Sequence, residues 1–244
     1  MDKHQEFLQE RICEAQKMAQ DESLKEKSID WMIHADKYKY TYNYSWLGRP
    51  IIKFPNDILA AQEIIWKVKP DLIIETGIAH GGSIIFSASM IELLGNDGLV
   101  IGVDIDIREH NRKAIEGHPM SKRIKMIEGS STDEKIINQI AGIAKNYQTV
   151  MVFLDSLHTH EHVLKELELY SPFVTLDSYM VLPDTFIEFF PKGYYADRPW
   201  DVGDNPYTAL KEFMKTNDDF VIDYETVNKL GITEAFDGYL LRVK

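Results

Sequence analysis

The sequence holds a single cysteine, Cys13, which excludes an internal disulfide framework and a zinc site built from thiolates. A reducing, cytoplasmic compartment fits that scarcity. Long apolar runs are missing too: nothing approaches the ~18 apolar residues of a membrane span, and the opening MDKHQEFLQERICEAQKMAQ lacks the apolar centre of a signal peptide. Positive charge is in deficit, with 27 Lys plus Arg against 39 Asp plus Glu. The formal net charge of -12 repels a polyphosphate backbone and makes nucleic acid a poor substrate. Internal repeats, heptads and low-complexity stretches are also lacking. The densest group of turn formers, Pro191 to Pro206, reads as a long loop inside one domain rather than a linker.

What is present is a core's worth of hydrophobic residues arranged in two rhythms. From Lys3 to Lys37, apolar residues recur at intervals among charges (Phe7, Leu8, Ile12, Ala15, Met18, Ala19), predicting one or two amphipathic helices that form a cap. The aromatic stretch TYNYSWLGRPIIKFP, broken by Pro50 and Pro55, disfavours helix, and PNDILAAQEIIWKVKP predicts a helix capped near Asn56. Residues 1–55 are therefore read as a helical cap with an aromatic lead-in, and 56–244 as the main domain.

From Asp71 the rhythm changes to short apolar runs alternating with helical segments. DLIIET, LVIGVD, RIKMIEG, TVMVFLD and SYMVLPD read as strands. Helices are expected from about Gly82, around Asn111, over Asp133 to Lys145 and over Thr159 to Tyr170. This alternation predicts an α/β fold with a doubly wound, mostly parallel sheet. After the loop come a helix near Thr208 to Lys215 and the strands FVIDYE and DGYLLRV. A short connection would bring the last strand back antiparallel, completing seven strands and separating a methyltransferase-like sheet from a plain dinucleotide-binding one.

Candidate chemistry gathers where such strands end. In IIETGIAHGGS, Glu75, Gly77, Gly81, Gly82 and Ser83 lie between the first strand and its helix, where glycines permit a tight turn and close approach of a ligand to backbone amides. A ligand-free strand-to-helix turn uses the same residues. Asp104 ends the second strand, where a carboxylate can take both hydrogen bonds of a ribose diol, from NAD or from S-adenosylmethionine; Asp106 competes for that role. Gly129 and Ser130 follow the third strand, in reach of an adenine. Asp155 and Asp184 end the fourth and fifth strands, and paired oxygen donors there suit a divalent metal, Mg²⁺ or Mn²⁺, that lowers the pKa of a substrate hydroxyl. Among His158, His160 and His162, His158 stands nearest the strand end and is the candidate general base, with a helix-capping role as its alternative. His158 and His162 would share a face if the helix included both.

The ordered motifs WLGRPIIKFPNDI, PDLIIETGIAHGGSIIF, VIGVDID, LDSLHTHEHVLKELELYSPFV and SYMVLPDT make the chain resemble the cephalosporin hydroxylase and rhamnosyl O-methyltransferase-like family from about Trp46 to Lys244. The resemblance implies a Rossmann-like class I methyltransferase fold. It further implies S-adenosylmethionine contacts at Glu75, Gly77 and Asp104, a metal near Asp155 and Asp184, and a small polar acceptor, a carbohydrate or nucleotide-sugar. Two departures stand out. Pro183 occupies a position where the family carries glutamate, and Asp177 occupies one where a glycine is expected. An NAD-dependent oxidoreductase and a noncatalytic cofactor-binding protein stay open as alternatives at this level, as does assembly into a homo-oligomer.

Overall fold

The computed structural model describes residues 2–244. Two helices open the chain, α1 (Lys3–Gln20) and α2 (Glu22–Asp36), with Asp2 and Asp21 accepting from first-turn amides as N-caps. Helix α1 buries no side chain, whereas α2 buries Met32 completely. The aromatic lead-in forms a short turn of 3-10 helix and an antiparallel hairpin of β1 (Tyr44–Trp46) and β2 (Arg49–Ile51). Helix α3 (Pro55–Val68) starts two residues earlier than a cap at Asn56 implied, with Phe54 as its N-cap. Pro55 fits the first helical position because its missing N–H is not needed there. Asn56 is therefore no cap; its amide donates to the carbonyls of Leu230 (2.9 Å) and Ile232 (3.0 Å).

The strands are β3 (Leu72–Thr76), β4 (Leu99–Asp104), β5 (Ile124–Glu128), β6 (Val150–Leu154), β7 (Tyr179–Val181), β8 (Phe220–Ile222) and β9 (Tyr239–Arg242). They form one sheet in the order β5-β4-β3-β6-β7-β9-β8, with β9 antiparallel to both neighbours and the first five parallel. The helices between them are α4 (Gly82–Leu94), α5 (Glu109–Glu116), α6 (Glu134–Ala144), α7 (His160–Tyr170), α8 (Pro206–Thr216) and the single turn α9 (Tyr224–Val227).

Alternation along the strands sends Ile73, Met151, Phe153, Tyr179 and Val181 to the side of α3 and α4. Leu72, Ile74, Val150, Val152 and Met180 face α6, α7 and α8. Burial on both faces is why these strands read as unbroken apolar runs. Asp177, at the glycine-like position before β7, adopts a left-handed φ of 63°.

One sequence expectation fails. The connection from β8 to β9 is long, spanning residues 223–238, and it folds inward, burying Thr233, Glu234 and Ala235. Asp57 of α3 anchors it, accepting from the Glu234 amide (2.9 Å), the Tyr239 hydroxyl (2.7 Å) and the Thr233 hydroxyl. Buried polar groups need such partners, and they dictate the route of this segment.

Candidate active site

The chain winds outward from β3 through β4 to β5, then returns to β6 and β7 on the other side, which opens a crevice at the carboxyl ends of β3 and its neighbours. A cavity of about 610 Å³ occupies it. Glu75, Gly77, Gly82, Ser83, Asp155, His158 and Asp184 all line it, so seven of the sequence candidates converge. Gly81, Asp104, Gly129 and Ser130 lie outside its lining.

The glycines are explained first by the protein's own backbone. A Cβ on Gly77 would stand 1.7 Å from the Asp155 carbonyl oxygen, and one on Gly82 would stand 2.1 Å from that of Pro50. Their absence lets β3 draw the Asp155 turn and the β1–β2 hairpin against the loop. The loop is also pinned without a ligand. Asp104 Oδ2 accepts from the amides of Ile78 (2.8 Å) and Ala79 (3.2 Å). Arg49 donates to the His80 carbonyl, and Asn111 to that of Ala79. Gly129 is pressed against Ile136, and Ser130 pairs with Thr132.

Glu75 is only 1% exposed, and neither of its carboxylate oxygens finds a hydrogen-bond partner among the described residues. Burial pushes its carboxyl up to about 8, with Lys53 and Ser83 offsetting part of the rise. An orphaned acid aimed into a cavity calls for a donor or a cation. The ammonium and sulfonium groups of S-adenosylmethionine meet that demand, so the loop fits this cofactor.

At the ends of β6 and β7, one ligating atom each from Asp155, His158 and Asp184 lie within 4.8 Å of one another. Two carboxylates and an imidazole are a donor set that fits Mg²⁺ or Mn²⁺. His158 Nδ1 is 3.6 Å from Asp184 Oδ2. Burial lowers the His158 pKa despite Asp155, which keeps the imidazole neutral near pH 7. Burial and the facing Asp155 raise Asp184 well above the usual carboxylate range; Asp155 itself, although burial opposes its charge, is held low by Lys53 and His158.

The histidines divide their work. Helix α7 begins at His160, so His158 precedes it and shares no helical face with His162. His162 Nε2 instead meets the hydroxyls of Ser131 (3.1 Å) and Ser156 (3.0 Å), with the buried Glu166 beneath. His160 pairs with Thr208 and Glu212.

Two charged residues of the site were missed in the sequence, Lys53 and Glu234. Lys53 Nζ donates to Glu234 Oε1 at 2.7 Å and to Asp155 Oδ2 at 3.1 Å. Burial works against the ammonium, but the two carboxylates outweigh it and hold its pKa well above the ordinary value. Burial also pushes Glu234 up, opposed by Lys53, so the two shifts pull in different senses. The 2.7 Å contact to a protonated ammonium favours the carboxylate form of Glu234. A lysine inside the apolar run IIKFP was the available signal for Lys53.

Aromatic groups make up much of the remaining wall. Tyr42, Phe186, Phe190, Tyr195 and Trp200 line the cavity, together with the charged Lys37, Lys39, Asp197 and Arg198. No helix among the described residues is long and apolar enough to cross a membrane.

Residues 38–243 match the family described as rhamnosyl O-methyltransferase/CmcI. The rhamnosyl O-methyltransferase of Mycobacterium bovis (strain BCG / Pasteur 1173P2) is 31% identical over 208 residues, covering 81% of this chain and 78% of that protein. The one from Mycobacterium leprae (strain TN) is 30% identical over 203 residues, covering 81% and 82%. A solved structure of CmcI with Mg and SAM shares the fold, with a TM-score of 0.56 at 19% identity over 83% of this chain and 78% of that one.

Proposed function

Because this chain belongs to the rhamnosyl O-methyltransferase/CmcI family and is an S-adenosylmethionine-dependent O-methyltransferase, we propose that it methylates a hydroxyl of a carbohydrate acceptor, in a glycan or nucleotide-sugar, with help from a divalent cation. The observation that carries this reading is the convergence of Glu75, Asp155, His158 and Asp184 from three strand ends on one cavity. An oxidoreductase using NAD has no need of the carboxylate pair, and family membership speaks for methyl transfer instead. A cytoplasmic site of action belongs to the same reading, supported by the single, exposed Cys13.

When bound, S-adenosylmethionine would supply an electrophilic methyl group, and Asp155 and Asp184 would hold a cation whose positive charge would favour ionisation of an acceptor hydroxyl. The chain does the rest. Glu75 offers a buried carboxyl at the cofactor side, protonated in the free protein and ionising against the cofactor's cationic groups, and Asp104 fixes the loop amides while retaining lone pairs for a ribose diol. Gly81 and Ser83 set the turn into α4, and Gly129 with Ser130 bounds the adenine side of the crevice. His158, neutral and with Nδ1 turned to Asp184, takes the acceptor proton at Nε2. Trp200 and Tyr195 exclude water and present faces on which a sugar ring stacks.

The test is a panel of rhamnosides, nucleotide-sugars and simple phenols incubated with isotopically labelled cofactor and Mg²⁺, read by mass spectrometry. Label on a sugar oxygen is the expected result. Label on phenols alone would remove the carbohydrate assignment.

A further inference from the structure

Glu234 reaches the strand edge that carries Asp155 and Asp184 from a different element, the β8–β9 connection. Glu234 is 5% exposed and Lys53 is 7% exposed, so neither charge is relieved by solvent. Their contact is the shorter of the two that Lys53 makes, 2.7 Å against 3.1 Å to Asp155. The backbone at Glu234 is anchored, because Asp57 holds its amide and both the Thr233 and Tyr239 hydroxyls.

A lone ammonium beside Asp155 would repel a divalent cation at the same strand edge and compete with it for that carboxylate. We propose that Lys53 and Glu234 form a charge-neutral buttress, in which Glu234 cancels the field that Lys53 sets at the Asp155 carboxylate and hence at the cation site. The pair acts on the cation through Asp155, the carboxylate that Lys53 contacts. This inference rests on the assignment of Asp155 and Asp184 as cation ligands. It also gives meaning to the inward route of residues 233–235, which the sheet alone does not require.

The experiment is a titration of the full-length protein with Mn²⁺, free ion being read by electron paramagnetic resonance, so turnover is not involved. Wild type is expected to bind one equivalent. Glu234→Gln leaves Lys53 uncompensated and should bind at least about tenfold more weakly. Lys53→Met removes a positive charge and should bind as tightly as wild type or more so. The double variant Lys53→Met/Glu234→Gln restores neutrality and should return to within about threefold of wild type. Glu234→Gln binding like wild type, or a double variant as weak as Glu234→Gln, overturns the buttress while sparing the cation site. If Glu234→Gln fails to fold by circular dichroism, a tenfold loss in Lys53→Met overturns it equally. A wild-type protein that takes up no Mn²⁺ removes the cation site and the buttress together.

Discussion

The imidazole of His158 meets the indole of Trp200 edge to face, with 4.7 Å between ring centres. The contact ties the proposed base to the loop that covers it, while Arg198 lies over the other ring system at 5.5 Å. His158→Ala should lower the rate of methyl transfer by about 10²-fold or more, with residual activity rising with pH as hydroxide replaces the missing base. His160→Ala is the control, since that ring is engaged by Thr208 and Glu212. Wild-type turnover and pH profile in His158→Ala, under conditions where transfer limits the rate, would leave His158 as a lid contact only.

Asp155→Asn and Asp184→Asn should each remove most turnover yet leave binding of S-adenosylhomocysteine nearly unchanged, because both act on the acceptor side. Chelation should do the same. The paired measurements are initial rates and calorimetric titrations. Full activity in chelated protein would transfer the whole deprotonation to His158.

Asp104→Ala should weaken cofactor binding by roughly 1.5–3 kcal/mol, because it removes a charged acceptor from the ribose side and releases the amides of Ile78 and Ala79. Calorimetry on folded variant protein measures the loss. Unchanged affinity would confine Asp104 to its loop-holding contacts.

Glu75 makes the free protein's stability depend on pH. Its folded pKa of about 8 lies above its ordinary 4.5, so between those values the folded state keeps a proton that the unfolded chain has lost. Stability therefore falls as pH rises across that window, by roughly 1.4 kcal/mol per pH unit. Glu75→Gln lacks this dependence. The melting temperature of Glu75→Gln should exceed that of wild type by a margin that widens from pH 5 to pH 8. A constant margin would mean that Glu75 has a partner the free protein does not reveal.

The sheet and the carboxylates at its edge were legible in the sequence for one physical reason. Strands buried on both faces are written as apolar runs, and the first polar residue after such a run marks the exit: Asp104, Asp155 and, after Pro183, Asp184. The unusual backbone of Asp177 was foreshadowed by the glycine expected in its place. The Lys53 cluster was not legible, because its partners lie 102 and 181 positions away and meet only after the sheet and α3 are assembled. For the same reason the amides that occupy Asp104, 25 and 26 residues before it, could not be foreseen from its place at a strand end. The split between His158 and His162 turned on where α7 begins, a boundary that local spacing does not fix.

Helix α1 has no buried side chain, and the one thiol of the chain, Cys13, projects from it into solvent. A maleimide dye or spin label placed there should attach at a single position without disturbing the core. Paired with a reporter in the loop that carries Trp200, it turns the N-terminal helix into a ruler, against which the position of that loop with and without cofactor becomes a measurable distance.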